Sequence, residues 1–370
     1  VPSPGDAIDA IDVVVAWVDG ADPRHRAKRN RYLAGLGRDA KPDQAANKDR
    51  RFSDNDEIRF CLRSIRNYAP WARTIWLVTD DQVPAAIDRR RAESENINIV
   101  DHREIFRGYE RLLPTFNSMT IEGMLWRIEG LADRFLYFND DMMFVGSVEP
   151  TDFFSNDGKV NLRGRWTSLQ EQLRKGSTFH AGNKLHGAEM LGYTSEHFFS
   201  SAHMIYPLLR PAMEELFEEF KPAFLTNAEH RFRDRNQFWP ISAHDHLLLK
   251  SNRAKVVKIH RSAHFSVRYC LAASPEDLEA RLKQLADGTM RLPASTISRR
   301  SPTKCPTRWT ICRRRPGRRR RSKTRLSKSC VVRRTLHAIS RAKYPDDWES
   351  DGPVNRVLLA AAPPCQHAAS

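Results

Sequence analysis

The sequence predicts an α/β fold, with a mostly parallel sheet flanked by helices in its first half and an α-rich second half. Three observations carry that prediction. Short runs of β-branched and aromatic residues recur at 8–17, 74–79, 97–100 and 135–138, each about the length of a buried strand. Between them lie stretches with helical spacing of apolar residues, the alternation that builds parallel sheets. Each run also ends in acidic or turn-forming residues: Val18-Asp19-Gly20, Asp80-Asp81, Asp101-His102 and Asn139-Asp140-Asp141.

The first run, Ile8 to Trp17, feeds an acidic loop in which Gly20 permits an unusual φ and Asp22-Pro23 opens the next element. The loop has neither G-x-G-x-x-G nor a P-loop, which excludes the dinucleotide and NTPase patterns. Pro23 to Leu36 reads as a charged helix ended by Gly37, and Arg38 to Lys48 as a polar loop. Ser53 or Asp54 caps the next helix, where Ile58, Cys61, Leu62 and Ile65 face a core. Arg59, Arg63 and Arg66 form a second stripe, either solvated or turned toward a diphosphate.

After the strands at 74–79 and 97–100, Asn117 and Ser118 cap a helix whose core stripe is Ile121, Leu125, Ile128 and Leu131. A helix N-terminus there is a ready anion site. The 135–138 strand follows, and Asp152-Phe153-Phe154 is expected to return the chain to the sheet. Beyond Gly158, Pro207 to Phe220 reads as a surface helix burying Leu208, Leu209, Met213, Leu216 and Phe217. His244-Asp245-His246 falls in a helical context, which separates the two rings and argues against a shared metal. The domain plan is 1–157, 158–297 and a tail at 298–370.

Of 370 residues, 61 are Lys or Arg and 45 are Asp or Glu, a net charge of +16. That excess belongs to one segment. Arg299 to Lys343 holds 18 basic residues and no acid, so removing it leaves 43 basic against 45 acidic residues. The body is near neutral and the tail is Arg-rich and Pro-punctuated, either a natural basic tail or the product of a disturbed reading frame. A nucleic-acid-binding protein acting through this tail is the rival to an enzymatic reading. Six scattered cysteines without a paired CxxC support neither a zinc site nor a disulfide framework and fit a reducing cytosol. No apolar run approaches the roughly 20 residues of a membrane span.

The pattern richest in chemistry is Arg134 to Phe144, an apolar strand that runs into Asn139, Asp140 and Asp141. In open α/β sheets, ligands bind at that end of the strands. Adjacent acids there either form a solvated turn or hold a hard divalent cation. His203, just ahead of a helix start, is either structural or a base, since histidine titrates near neutral pH.

Together these blocks resemble the Stealth family of sugar-phosphate transferases. The resemblance rests on Ile11 to Pro23, Asp54 to Ile65, Leu113 to Ser118 with Ile121-Glu122, Phe138 to Phe144, and the span from Asn183 through Ala202-His203-Met204 to Phe232-Arg233. It covers about residues 8 to 260, and it departs from the family in having Ala202 where Pro usually precedes the His. The family's fourth, C-terminal region leaves at most a trace at Lys343 to Glu349.

The resemblance implies a Rossmann-like, GT-A-like sheet that binds a nucleotide sugar. It implies transfer of hexose 1-phosphate to a sugar hydroxyl in capsular or exopolysaccharide synthesis. An ordinary metal-dependent glycosyltransferase is the alternative. Expected catalytic residues are His203, Asp19 and Arg233, with Asp140 and Asp141 holding Mg²⁺ or Mn²⁺. Expected substrate-binding residues are Trp17, Gly20, Arg59, Arg63, Asn117, Ser118, Asn139 and Asn183. The expected partners are a nucleotide-sugar donor and a polysaccharide acceptor, in the cytoplasm at the inner face of the membrane, in association with capsule assembly.

Overall fold

The computed structural model describes residues 10–35, 52, 56–144, 146–175 and 178–258, with a two-residue strand pair at 264–265 and 296–297. The basic tail, the loop from 38 and the Ser53-Asp54 cap lie outside the described residues. Five strands form the main sheet: β1 (Ile11–Ala16), β2 (Ile75–Thr79), β3 (Ile97–Asp101), β4 (Arg134–Asn139) and, later in the chain, β7 (Tyr206–Leu209), in the order β3-β2-β1-β4-β7. The first four are parallel and β7 is antiparallel to β4. A second sheet joins β5 (Val160–Thr167), β6 (Phe198–Ser201) and β8 (Ala254–Val257) in the order β6-β5-β8.

Helices cover the main sheet because its central strands are apolar on both faces. Val13, Val14 and Val15 are wholly buried, as are Phe135 to Phe138, the continuous pattern of a covered parallel sheet. The first half supplies α1 (Pro23–Ala34), α2 (Glu57–Tyr68), α3 (Arg89–Ser94), α4 (His102–Ile105) and α5 (Ser118–Glu122). The second supplies α6 (Leu169–Arg174), α7 (Thr178–Glu189), α8 (Arg210–Glu219), α9 (Lys221–Glu229) and α10 (Pro240–Lys250). Along α2, Ile58, Cys61, Leu62 and Ile65 are buried, so its core stripe is the one the spacing predicts.

Four expectations need correction. The helix from Ser118 is a single turn that breaks at Gly123, and Leu125–Arg127 is a 3-10 turn. At Gly123 a Cβ would lie in ordinary contact with Pro240 and Phe224, at 3.5 and 3.6 Å, so the helix stops where α9 and α10 pack against it. Leu125, Ile128 and Leu131 are nonetheless buried. Pro207 to Leu209 is strand, not helix. Proline is tolerated there because β7 is an edge strand whose free side needs no donor. Asp152 does not return the chain to the main sheet: Pro150–Asp152 is a 3-10 turn leading to β5 in the second sheet. The first helix ends at Ala34, with Gly35 as its C-cap, and Gly37 falls outside the described residues.

His244 and His246 lie on α10, and both are structural. His244 Nε2 accepts the Leu209 amide of β7 at 3.1 Å, and His246 Nε2 accepts the Phe199 amide of β6 at 2.9 Å. The His-x-His pair therefore fastens one strand of each sheet to the same helix, in place of holding a metal.

At the N-terminal end of the sheet, Asp12 is fully buried and accepts four hydrogen bonds. Arg73 supplies two, at 2.8 and 2.6 Å, and Trp76 Nε1 and the Ala132 amide supply one each at 2.8 Å. Asp12→Ala strands the Trp76 and Ala132 donors, while Arg73 keeps the Gly130 carbonyl and solvent, and is expected to cost about 1–3 kcal/mol. Urea denaturation of the variant checks this, and a loss below about 1 kcal/mol would contradict it.

Candidate active site

The chain fills the sheet from β1 outward through β2 to β3, then crosses to the other side of β1 for β4. The strand order therefore reverses between β1 and β4, and open α/β sheets bind ligands outside the C-terminal strand ends at such a switch point. Ala16 pairs with Asn139 in the parallel register, so the loop beginning at Trp17 and the acids Asp140 and Asp141 leave the sheet side by side.

The β1 loop is held rigid from two sides. The Asp19 amide donates to Gln82 Oε1 at 3.0 Å, Gln82 Nε2 donates back to the Asp19 carbonyl at 2.9 Å, and Asp19 Oδ1 takes the Ala21 amide at 2.8 Å. Gly20 donates its amide to the Phe52 carbonyl, and a Cβ there would lie 2.2 Å from Phe52. Only glycine permits that approach. Trp17 is buried, with its indole N–H unpartnered.

Beside β4, α2 supports the acid pair. The Phe144 amide donates to Ser64 Oγ at 3.0 Å, closing the 140–144 turn onto the helix. The Cys61 thiol is pushed well up, chiefly by burial and then by the negative charge of Asp140 and Asp141. Arg59 pairs with Asp56 at 3.0 Å and Arg63 is half-buried one turn on. Arg66 is committed elsewhere, to the carbonyls of Ala72, Glu95 and Asn96.

Asn117 and Asn183 are both buried and bonded to the loop at 230–237. Asn117 is wholly buried; its Oδ1 accepts the Met119 amide, and its Nδ2 donates to the His230 carbonyl and Gln237 Oε1, both at 2.8 Å. Asn183 donates to the Asp234 and Gln237 carbonyls. These amides, with Gln237 at the centre, fix the 230–237 loop that carries Arg233. Arg233 Nη2 in turn donates to Ser118 Oγ at 2.5 Å. Ser118 thus anchors an arginine, whereas a one-turn helix offers little dipole for an anion.

Sequence reasoning missed Glu122. It is 5% exposed and joins several elements: Trp239 Nε1 donates to its Oε2 at 2.6 Å, and Tyr137 OH meets its Oε1 at 3.3 Å. Tyr137 OH also reaches Asn139 Oδ1 at 3.1 Å. Burial pushes the Glu122 carboxyl up to about 7, against the pull of Arg233 and of hydrogen bonds from Trp239, Ser118 and Tyr137. Its signals in the sequence are its place in the Ile121-Glu122 block of the resemblance and a glutamate on a short apolar helix. Its partners come from remote segments.

His203 lies in an exposed bend between β6 and β7. Tyr206 pairs with Tyr137 in the antiparallel ladder, so His203, three residues before Tyr206, emerges at the same sheet end as Asp140, three residues after Tyr137. The Tyr206 phenol is pushed up by burial and by the charges of Glu122, Asp245 and Asp141. His203 and the acid pair therefore leave the sheet at the same end of β4, while Arg233 and Glu122 lie by Tyr137 within that strand.

A second polar cluster sits at the ends of β2 and β3. Lys28 Nζ contacts both Asp80 oxygens at 2.9 and 2.8 Å, and His25 Nε2 lies 4.0 Å from Asp80. His102 is buried nearby, and burial pulls it down to about 4 despite Asp80 and Asp101. Below about pH 6.5 the unfolded chain takes up a proton that the folded chain refuses. Stability is therefore expected to fall as pH drops from about 6.5 to about 4, by roughly 3 kcal/mol from this group. Urea titrations at several pH values check this; His102→Gln, with no imidazole to protonate, should show a shallower slope.

A mostly parallel sheet whose acidic loops meet at its switch point defines an α/β ligand-binding core. Stealth protein conserved region 1 matches residues 9–37 and conserved region 2 matches residues 51–162. The receptor polysaccharide phosphotransferase WefC of Streptococcus oralis is 32% identical over 271 residues, 64% of this chain and 79% of that protein. The capsular polysaccharide phosphotransferase WcwK of Streptococcus pneumoniae is 31% identical with the same coverage. The exopolysaccharide phosphotransferase SCO6021 of Streptomyces coelicolor is 35% identical over 285 residues, 75% of this chain. The chain spans 49% of that protein's length, and 25% of its relative SCO2592. The chain belongs to the Stealth family. Among solved structures, the galactosyltransferase LgtC overlaps with a TM-score of 0.35 at 14% identity, covering 71% of this chain and 78% of that one, too loosely to carry any residue across.

Proposed function

We propose that this protein transfers hexose 1-phosphate, for example N-acetylglucosamine 1-phosphate, from a nucleotide diphosphate sugar to a sugar hydroxyl of a capsular or exopolysaccharide chain. The observation that carries the reading is the switch point of the sheet, where the β1 loop and the Asp140-Asp141 pair emerge from paired strands. The relatives named polysaccharide phosphotransferases support the reaction class.

The acceptor oxygen attacks the β-phosphorus, the bond from that phosphorus to the bridging oxygen breaks, and nucleoside monophosphate leaves. His203 takes the acceptor proton. Arg233, held by Ser118, faces the charge on the transferring phosphoryl group. The β1 loop at Trp17, Asp19 and Gly20 grips the nucleotide, and Arg59 and Arg63 add positive charge near the diphosphate. Asn139 and Glu122 set the end of β4 against Arg233.

Asp140 and Asp141 offer adjacent half-buried carboxylates, hard oxygen donors of the kind Mg²⁺ or Mn²⁺ takes. Were the ion bound, Asp140 and Asp141 would hold it and the donor diphosphate and water would supply its remaining ligands. When bound, the ion neutralises charge on the diphosphate. With a nucleotide-sugar donor and a polysaccharide acceptor, the reaction we propose belongs in the cytoplasm, at the inner face of the membrane. No helix among the described residues is long and apolar enough to cross it.

Incubating the protein with a panel of nucleotide sugars, Mg²⁺ and a polysaccharide acceptor, then reading the nucleotide product by mass spectrometry, tests the proposal. Nucleoside monophosphate with sugar phosphate on the acceptor is expected. Release of nucleoside diphosphate instead would mean that the anomeric bond breaks, and would overturn it.

A further inference from the structure

We propose that Lys184 is a positioning residue for His203, its ammonium tying the end of β6 to the contacts that gather around the end of β4. The inference rests on the reading of His203 as the group that receives the acceptor proton. Lys184 lies on α7, and its Nζ donates to the Ser201 carbonyl at 2.7 Å and to Ser200 Oγ at 3.1 Å. These are the last two residues of β6, and His203 follows two positions later. The same Nζ sits 5.4 Å from the centroid of the Trp239 ring, within cation–π range. Trp239 Nε1 holds Glu122, and Tyr137 joins Glu122 to Asn139. One cation thus spans from the His203 bend to the residue before Asp140.

Among the described residues, two charged groups act on Lys184. Asp245, from α10, favours the ammonium and accepts a hydrogen bond from Ser201 Oγ; Arg165, from β5, opposes it. Burial outweighs both and pulls the amine down to about 8. A staple between α7 and β6 needs only packing, which methionine supplies. A buried ammonium held under the His203 bend supplies direction as well: its N–H bonds fix the carbonyl of Ser201, and so the path of the two residues that follow.

The test has two arms. In protein labelled with 5-fluorotryptophan, the Trp239 signal, assigned with Trp239→Phe, should show a step near pH 8 that Lys184→Met removes, leaving in place the step near pH 7 from Glu122, which the same indole N–H bonds. The His203 Cε1–H signal, assigned with His203→Gln, should show an inflection at the midpoint of the step near pH 8. A Trp239 signal that is flat through pH 8, or a His203 signal without the shared inflection, overturns the proposal whether or not any donor is turned over. In the second arm, Lys184→Met is expected to lower kcat by about 10–100-fold with the donor KM kept and the alkaline limb near pH 8 lost. Lys184→Arg should recover part of the rate. A Lys184→Met variant with wild-type kcat and pH profile overturns the proposal. A wild-type protein inactive on every nucleotide sugar defeats the reaction assignment alone, because the resonance arm needs no turnover.

Discussion

Replacing Asp140 and Asp141 together with asparagine is expected to lower donor turnover by about 10³-fold or more, since removing one preorganised charge-stabilising group typically costs roughly 10²–10³ in rate. Asparagine keeps the volume of each side chain and removes both negative charges from the end of β4. Turnover should also lose its dependence on added Mg²⁺. Circular dichroism and urea denaturation would show whether the fold is kept, which is expected because both carboxylates are half-exposed. The single variants apportion the roles: the carboxylate nearer the diphosphate should account for most of the loss. A double variant within about threefold of wild type, with its Mg²⁺ response intact, would remove the pair from the reaction.

His203→Ala is expected to reduce kcat by about 10²–10⁴-fold, the usual contribution of a positioned general base. The donor KM should change little, because the bend between β6 and β7 carries no part of the β1 loop. Exogenous imidazole should restore part of the rate, which a merely structural histidine would not allow. A variant with near-normal kcat, or one that imidazole leaves unchanged, would exclude His203 from proton transfer.

The parallel sheet was readable because each strand is a local pattern. Val13 to Val15 and Phe135 to Phe138 are apolar without interruption since both faces of β1 and β4 are covered. The acid pair was readable for a similar reason, as polar residues stand where an apolar run stops. What stayed hidden depends on partners far along the chain. Asn117 and Asn183 have the look of ligand groups, but Gln237 and the loop around Arg233 take up their donors. Glu122 gains its raised pKa from burial against Trp239 and Tyr137, which no window around residue 122 contains. Proline in β7 reads as a helix start until the strand is known to lie at an edge.

The pairing of β1 with β4 also bears on the order in which the protein can be made. Ile11 pairs with Arg134, so the first strand emerges from the ribosome long before one of its two partners exists. Closing so long a loop carries an entropic cost that is met only once both strands and their covering helices are in place. Until then one edge of β1 is unpaired, an opening for association with another chain. The switch point between β1 and β4 therefore assembles late, and fragments ending before Asn139 are expected to be sticky and to lack it altogether.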